Sequence, residues 1–205
     1  KDEVVEFLGE ARKRWPEEIT LARTHGLLLQ ENGNYPEAVK ALKTVVRKNA
    51  DDEESVTNLC LSLVESNLES LVINGKSKPN ANLAEAAQIV SSLLFKKPDT
   101  VRGHLILGAL QFAMGNLNEA MTEFRSAVEI SADVDNELHW IAQAGLGRTA
   151  LSLNRPEIAM AVLDEAASAH SDNVAIQKLL VPAYMKANLP QEALITAQHA
   201  MEMAP

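Results

Sequence analysis

The chain has 205 residues, of which 46% are hydrophobic and only 4% are aromatic. This composition excludes a wholly disordered chain and favours packed helices over a β-sandwich. The formal net charge of −9 argues against general binding to nucleic acid or to anionic membranes. No apolar run approaches the roughly 18 residues of a membrane span. Cys60 is the single cysteine, which excludes an internal disulfide and leaves the compartment open, with the cytoplasm favoured.

Apolar residues at helical spacing, separated by turn-forming residues, predict eleven helices. In chain order they are predicted at residues 2–14, 18–32, 36–48, 53–73, 83–95, 101–114, 118–131, 135–153, 157–169, 174–187 and 191–203. The segment NGKSKPNAN, residues 74–82, is polar and rich in turn formers, so it is predicted to be a loop. A second insertion near 133–139 is predicted to lengthen the front of a helix, with Leu138 and Trp140 packing locally.

One short pattern recurs along the chain, most clearly in NGNYPEAVKALKTVV (32–46) and MGNLNEAMTEFRSAVEI (114–130). Its alanine anchors are Ala38, Ala86, Ala120, Ala159 and Ala193, separated by 48, 34, 39 and 34 residues. The position twelve residues before each anchor is occupied by Gly26, Gly108, Gly147 and Val181, and by Cys60 in the second copy if an insertion between Cys60 and Ala86 is allowed for. The position four residues after each anchor is occupied by Leu42, Val90, Phe124, Leu163 and Ala197. Residues at such spacing share one helix face, and small residues let two helix backbones approach closely. The pattern therefore predicts helical hairpins that bury one another.

This pattern resembles the tetratricopeptide repeat, and the stretches at 25–46 and 107–128 match it best, although the early Trp position of the family is unfilled. The resemblance implies an all-α fold, an α-α superhelix that is a right-handed solenoid of antiparallel helix hairpins. The expected organisation is one domain over 1–205, with a half-repeat at 1–18 and repeats at 19–52, 53–100, 101–139, 140–173 and 174–205. Both ends fall inside the repeat rhythm, so we expect a piece of a longer array.

In the family that the chain resembles, residues of the first helix of each hairpin line a concave groove. Carried over, these positions give Arg23, Leu27, Gln30, Asn58, Leu61, Arg102, Leu105, Ile106, Arg148, Lys178 and Met185. The charged members are all basic although the chain is acidic, which suits a partner segment with apolar anchors and carboxylates. The alternative is that these cations pair with nearby acids and are simply solvated.

Sequence motifs that suggest catalysis have structural explanations. GLGRTA at 145–150 lies within a predicted helix rather than after a strand, and NGKS at 74–77 lacks the first glycine of a phosphate loop. No acid–base pair, nucleophile, metal site or cofactor site is predicted, so we expect no enzyme. The predicted function is a scaffold for a protein or peptide partner. The alternative is a structural spacer or an oligomerisation module that self-associates through uncapped repeat ends.

Overall fold

The computed structural model describes residues 2–65, 81–132 and 137–203, and every regular element in those ranges is an α-helix. The chain divides into two compact units, Lys1–Asp99 and Thr100–Pro205. The helices of the first unit are α1 (Asp2–Arg14), α2 (Ile19–Glu31), α3 (Tyr35–Lys48), α4 (Glu53–Glu65) and α5 (Ala81–Lys96). Those of the second unit are α6 (Val101–Ala113), α7 (Leu117–Ser131), α8 (Glu137–Ser152), α9 (Pro156–Ala169), α10 (Val174–Lys186) and α11 (Pro190–Met203).

The all-helical prediction is confirmed, and the observed helix ends lie within two residues of the predicted ones wherever both are described. The helix end predicted at residue 73 and most of the predicted loop at 74–82, including its NGKS motif, lie outside the described residues. The last two positions of that predicted loop are helical instead, because α5 already begins at Ala81, a strong helix former. The repeat boundaries within the chain stay a prediction.

Within each unit, every described helix packs against the next one along the chain. The first helices of successive hairpins also contact one another: α2 contacts α4 in the first unit, and α6 contacts α8, which contacts α10, in the second. In the second unit the first helices therefore lie side by side and form one surface.

Small residues hold the two helices of a hairpin close together. The five anchor alanines, Ala38, Ala86, Ala120, Ala159 and Ala193, are all buried, with at most 3% of any of them exposed. A Cβ atom added to Gly26 would lie 2.8 Å from Leu42 Cγ, and one added to Gly147 would lie 2.6 Å from Leu163 Cγ. Any larger residue at these two positions would clash, because real Cβ contacts are longer than this.

In four of the hairpins, the turn between the two helices has a left-handed residue five positions before the anchor. Gly33 (φ 73°), Gly115 (φ 81°), Asn154 (φ 57°) and Asn188 (φ 60°) take this conformation. The following amide reaches back to close the helix end, as when Arg155 N donates to the Ala150 carbonyl oxygen at 2.8 Å. Glycine and asparagine are the residues that tolerate this backbone, which explains the recurring Gly-Asn of the sequence.

The insertion near 133–139 is described only from residue 137, where α8 begins. Leu138 and Trp140 pack against the core of the second unit, as predicted, and the Trp140 ring lies 6.3 Å from that of His170. The GLGRTA stretch is helical, with Gly145 against Phe124 and Gly147 against Leu163. Its glycines therefore serve helix packing.

Candidate functional site

The first helices of the second unit carry five of the predicted groove residues on a surface that we call the basic face. Its members are Arg102 and Ile106 on α6, Arg148 on α8, and Lys178 and Met185 on α10. Contacts between neighbouring first helices place the three helices side by side, and Lys186 Nζ of α10 donates a hydrogen bond of 2.8 Å to the Leu151 carbonyl oxygen of α8. The fold of the second unit therefore brings predicted residues from three hairpins onto adjoining helices.

Arg148 is positioned by an aromatic ring of the neighbouring helix. Its guanidinium carbon lies 4.4 Å from the centroid of the Phe112 ring, and Phe112 itself packs against the core. A cation over an aromatic face is held by the negative face of the ring, which leaves the in-plane guanidinium donors available. Arg148 is thus oriented with no acidic partner among the described residues.

The other two cations of the basic face, Arg102 and Lys178, are exposed, and neither forms an ion pair with any residue in the described ranges. Beside them, Ile106 is half-buried and Met185 is 59% exposed. Leu105 differs, since only 9% of it is exposed and it belongs to the core of the second unit. It has little surface to offer a partner.

In the first unit the corresponding positions are largely occupied by internal contacts. Arg23 forms an ion pair with Asp52, whose Oδ2 also accepts a hydrogen bond of 2.7 Å from Ser55 Oγ. Asn58 Nδ2 donates to the Glu54 carbonyl oxygen at 2.9 Å. In the first unit, Arg23 is therefore paired with a nearby acid, as in the alternative interpretation of the predicted groove cations.

Three further predicted residues of the first unit are apolar or neutral. Leu27 and Gln30 on α2 are half-buried, and Leu61 on α4 is 45% exposed. α2 and α4 contact each other, so these side chains stand on adjoining helices. The surface they form is mainly apolar and carries no unpaired cation among the predicted residues.

Sequence reasoning missed a cavity of about 400 Å³ between the last two helices, which we call the C-terminal cavity. It is lined by Lys178, Val181, Pro182, Ala197, Ala200 and Met201. The signal was present in the repeat pattern. The last hairpin has Val181 where three of the earlier ones have glycine, and Ala197 where the earlier ones have a larger apolar residue.

Other reactive side chains have structural roles. Burial raises the pKa of the Cys60 thiol to about 12, and its Sγ donates to the Ala86 carbonyl oxygen at 3.6 Å. This thiol is therefore protonated and inert. In the described ranges, no three His, Cys, Asp or Glu side chains gather in a way that could hold a metal ion. None of the described helices is long and apolar enough to cross a membrane.

A sequence model of the tetratricopeptide repeat matches residues 101–134, which span α6 and α7. The chain contains a tetratricopeptide repeat. This match confirms the predicted resemblance at one of the two stretches that carried it. None of the curated proteins that were compared gives a significant match.

Solved structures of tetratricopeptide-repeat proteins share the fold over most of the chain. A crystal structure of MamA superimposes with a TM-score of 0.70 at 16% identity, covering 90% of this chain and 91% of that one. MamA from Desulfovibrio magneticus RS-1 gives a TM-score of 0.71 at 17% identity, with coverage of 90% and 94%. In the APC/C hetero-tetramer Cut9-Hcn1, the TM-score is 0.73 at 13% identity, and all of this chain matches 37% of that one. At these identities the likeness is one of fold.

Proposed function

We propose that the chain is a non-enzymatic scaffold whose basic face binds an extended or helical segment of a partner protein. Proteins built from tetratricopeptide repeats are generally interaction scaffolds, and the fold shared with such proteins supports this class. The observation that carries the finer proposal is the state of the cations. Arg102, Arg148 and Lys178 lie on contacting helices, and none is paired with an acid in the described ranges.

The chemistry of the basic face defines the partner segment. Exposed cations attract carboxylates, and a guanidinium with available donors can bind a carboxylate in bidentate fashion. Ile106 and Met185 offer apolar contact area between the charges, and methionine adapts its shape to different side chains. The partner segment is therefore expected to carry acidic residues alternating with apolar anchors. The first unit contributes less, because Asp52 already neutralises Arg23.

Selection from a displayed library of linear peptides tests this function. The purified chain should enrich acidic-apolar sequences, and a fluorescent copy of the best peptide then reports affinity by polarisation. The double variant Arg102→Glu/Arg148→Glu should weaken that peptide roughly 10-fold or more, since it replaces attraction with repulsion at two contacts. Arg47→Glu/Arg125→Glu is a control with the same change in net charge, because both arginines are exposed on second helices, α3 and α7, outside the basic face.

Two results would contradict the proposal. Equal losses in the two double variants would show that only the total charge matters. Enrichment of basic peptides, or of none at all, would show that the basic face does not recognise acidic segments.

A further inference from the structure

The C-terminal cavity arises from an exchange of large and small residues within the last hairpin. In three of the earlier hairpins a glycine on the first helix faces a large residue on the second, as Gly147 faces Leu163 and Gly26 faces Leu42. In the last hairpin Val181 and Ala197 occupy those two repeat positions. The hairpin keeps a similar total volume, but the large side chain has moved from the second helix to the first.

This exchange changes what the hairpin presents to a following helix. Phe124 on α7 contacts not only Gly108 of its own hairpin but also Gly145 on α8, the next first helix, where an added Cβ would lie 2.5 Å from Phe124 Cε1. There the second helix supplies the large residue and the incoming helix supplies the glycine. At the last hairpin the second helix supplies Ala197 beside an open cavity. An incoming helix must therefore supply the large residue itself.

The described residues that line the cavity are apolar except for one cation, Lys178. Met201, which lines the cavity, is 76% exposed, and Leu194 on the same helix α11 is 55% exposed. Lys178 lines the cavity and has no ion-pair partner in the described ranges. A fitting helix has a large apolar side chain with carboxylates beside it.

Helix α1 has this chemistry. Phe7 is 70% exposed and Val4 is 51% exposed, so α1 presents an apolar edge to solvent. The exposed residues around Phe7 include Glu3, Glu6 and Glu10. The other highly exposed phenylalanine of the described residues, Phe95 on α5 with 91% exposure, is followed by Lys96 and Lys97, which would repel Lys178.

We infer that a second copy of this chain docks its α1 against the C-terminal cavity, with Phe7 inside the cavity and an α1 carboxylate facing Lys178. The contact is head-to-tail, because the α1 edge and the cavity are different surfaces of the chain. A concavity of about 420 Å³ beside Phe7, lined by Phe7, Glu10, Ala11, Arg14 and Trp15, offers space for the exposed Met201 of the other copy. The resulting dimer keeps one unused α1 edge and one unused C-terminal cavity, so association can continue beyond a dimer.

Sedimentation velocity across a concentration series tests this contact. The unaltered chain is expected to show growing species as its concentration rises through the micromolar range, at about 0.15 M salt, which screens the repulsion from its net charge. Phe7→Ala removes the inserted side chain, and Ala197→Leu fills the cavity. Either change alone should weaken association roughly 10-fold or more, as expected for a central apolar contact.

A mixing experiment gives the sharpest result. The Phe7→Ala chain keeps an intact cavity, and the Ala197→Leu chain keeps an intact α1. An equimolar mixture should therefore form one-to-one dimers and stop there. Growth beyond dimers, or no dimers at all, would overturn the head-to-tail contact.

Two controls separate this contact from general adhesion and from misfolding. Phe95→Ala removes an equally large exposed side chain elsewhere and should leave association unchanged; equal weakening would overturn the inference. If Ala197→Leu loses helicity, Met201→Glu at the exposed rim replaces it, and unchanged association would then count against the cavity. An unaltered chain that stays monomeric throughout the series would also overturn the contact, while peptide binding by the basic face would be unaffected.

Discussion

Arg23 of the first unit and Lys178 of the second stand at the same repeat position, fifteen residues before the anchors Ala38 and Ala193. Arg23 is held by Asp52 at the start of the next first helix, whereas Lys178 is exposed beside the C-terminal cavity. The repeat pattern fixes where a cation stands on the fold. Its neighbours in space decide whether that cation is available to a partner.

The same difference extends to the remaining arginines of the predicted groove. Arg148 rests on the ring of Phe112 and Arg102 is exposed, so the second unit concentrates the available positive charge. An acidic chain can thus carry a local surface of the opposite sign. The predictions below change one side of this comparison at a time.

The largest expected effect comes from the glycine contacts that set helix spacing. Gly147→Ala places a Cβ 2.6 Å from Leu163 Cγ, so we expect the free energy of unfolding to fall by about 1–3 kcal/mol. The same change moves α8 and its neighbouring Arg148, so the selected acidic peptide should also bind more weakly. Urea denaturation followed by circular dichroism, with polarisation under folded conditions, measures both effects.

Gly26→Ala makes the equivalent change in the first unit, where the added Cβ would lie 2.8 Å from Leu42 Cγ. It should lower stability by a similar amount and leave peptide affinity unchanged. Gly9→Ala is the neutral control, since its Cβ would meet His25 at an ordinary 3.7 Å. Equal losses of peptide affinity in the Gly26 and Gly147 variants would contradict the difference between the units.

A smaller effect is expected from removing the acid that occupies Arg23. Asp52→Asn should lower the free energy of unfolding by about 0.5–1 kcal/mol, because it breaks a partly buried ion pair and keeps an oxygen for Ser55. It also adds an available cation to the first unit, so acidic peptides should bind somewhat more tightly. Thermal or urea unfolding together with polarisation checks both parts.

The adjacent residue provides the control for this prediction. Asp51 pairs with Lys96 at 2.7 Å, and both side chains are 51% exposed. Such a pair contributes little, so Asp51→Asn should leave stability nearly unchanged. If Asp51→Asn lowers the free energy of unfolding as much as Asp52→Asn does, then burial of the Arg23–Asp52 pair does not explain its contribution to stability.

The smallest expected effect is a pH dependence of stability that arises from His25 in the first unit. Burial, together with the charge of Arg12, lowers the pKa of His25 below its ordinary value of 6.5. Arg12 Nη1 lies 3.2 Å from His25 Nδ1, and Glu37 partly offsets the effect. The unfolded chain then binds the proton more readily. Stability is therefore full above pH 6.5 and falls as the pH drops toward the lowered pKa.

Urea midpoints measured between pH 7.5 and 5 should show this decline, and His25→Gln should make it shallower. His199→Gln changes an exposed histidine on α11 and should leave the slope as it is. A slope that is identical in the chain with and without His25 would show that this histidine is not responsible.

Much of the fold could be predicted because it depends on local spacing. Ala38 and Ala120 are buried, and the turns occur at Gly33 and Gly115, since both features follow from helix geometry within one hairpin. The burial of Leu105 was harder to predict from the sequence. Helix α6 has apolar residues on every side, including the adjacent Leu105, Ile106 and Leu107, so periodicity does not say which of them faces the core.

Features that depend on contacts distant in sequence could not be predicted. Arg23 lies on α2 and Asp52 stands 29 residues later, just before α4, and the sequence left both pairing and availability open. Arg148 and Phe112 meet only because α6 and α8 are neighbours. Predicting the C-terminal cavity would have required knowing that Ala197 and Val181 line the same space. The sequence shows only that both residues depart from the repeat pattern.

Phe124 has a consequence for how such a chain could evolve. The Gly26–Leu42 and Gly147–Leu163 contacts lie within single hairpins, so duplicating one of these hairpins would carry its own contact along. Phe124 instead needs glycines on two successive hairpins, at Gly108 and Gly145. A genetic exchange that separated α6 and α7 from α8 would lose one of them. Helices α6, α7 and α8 must therefore be inherited together if both Phe124 contacts are to be kept.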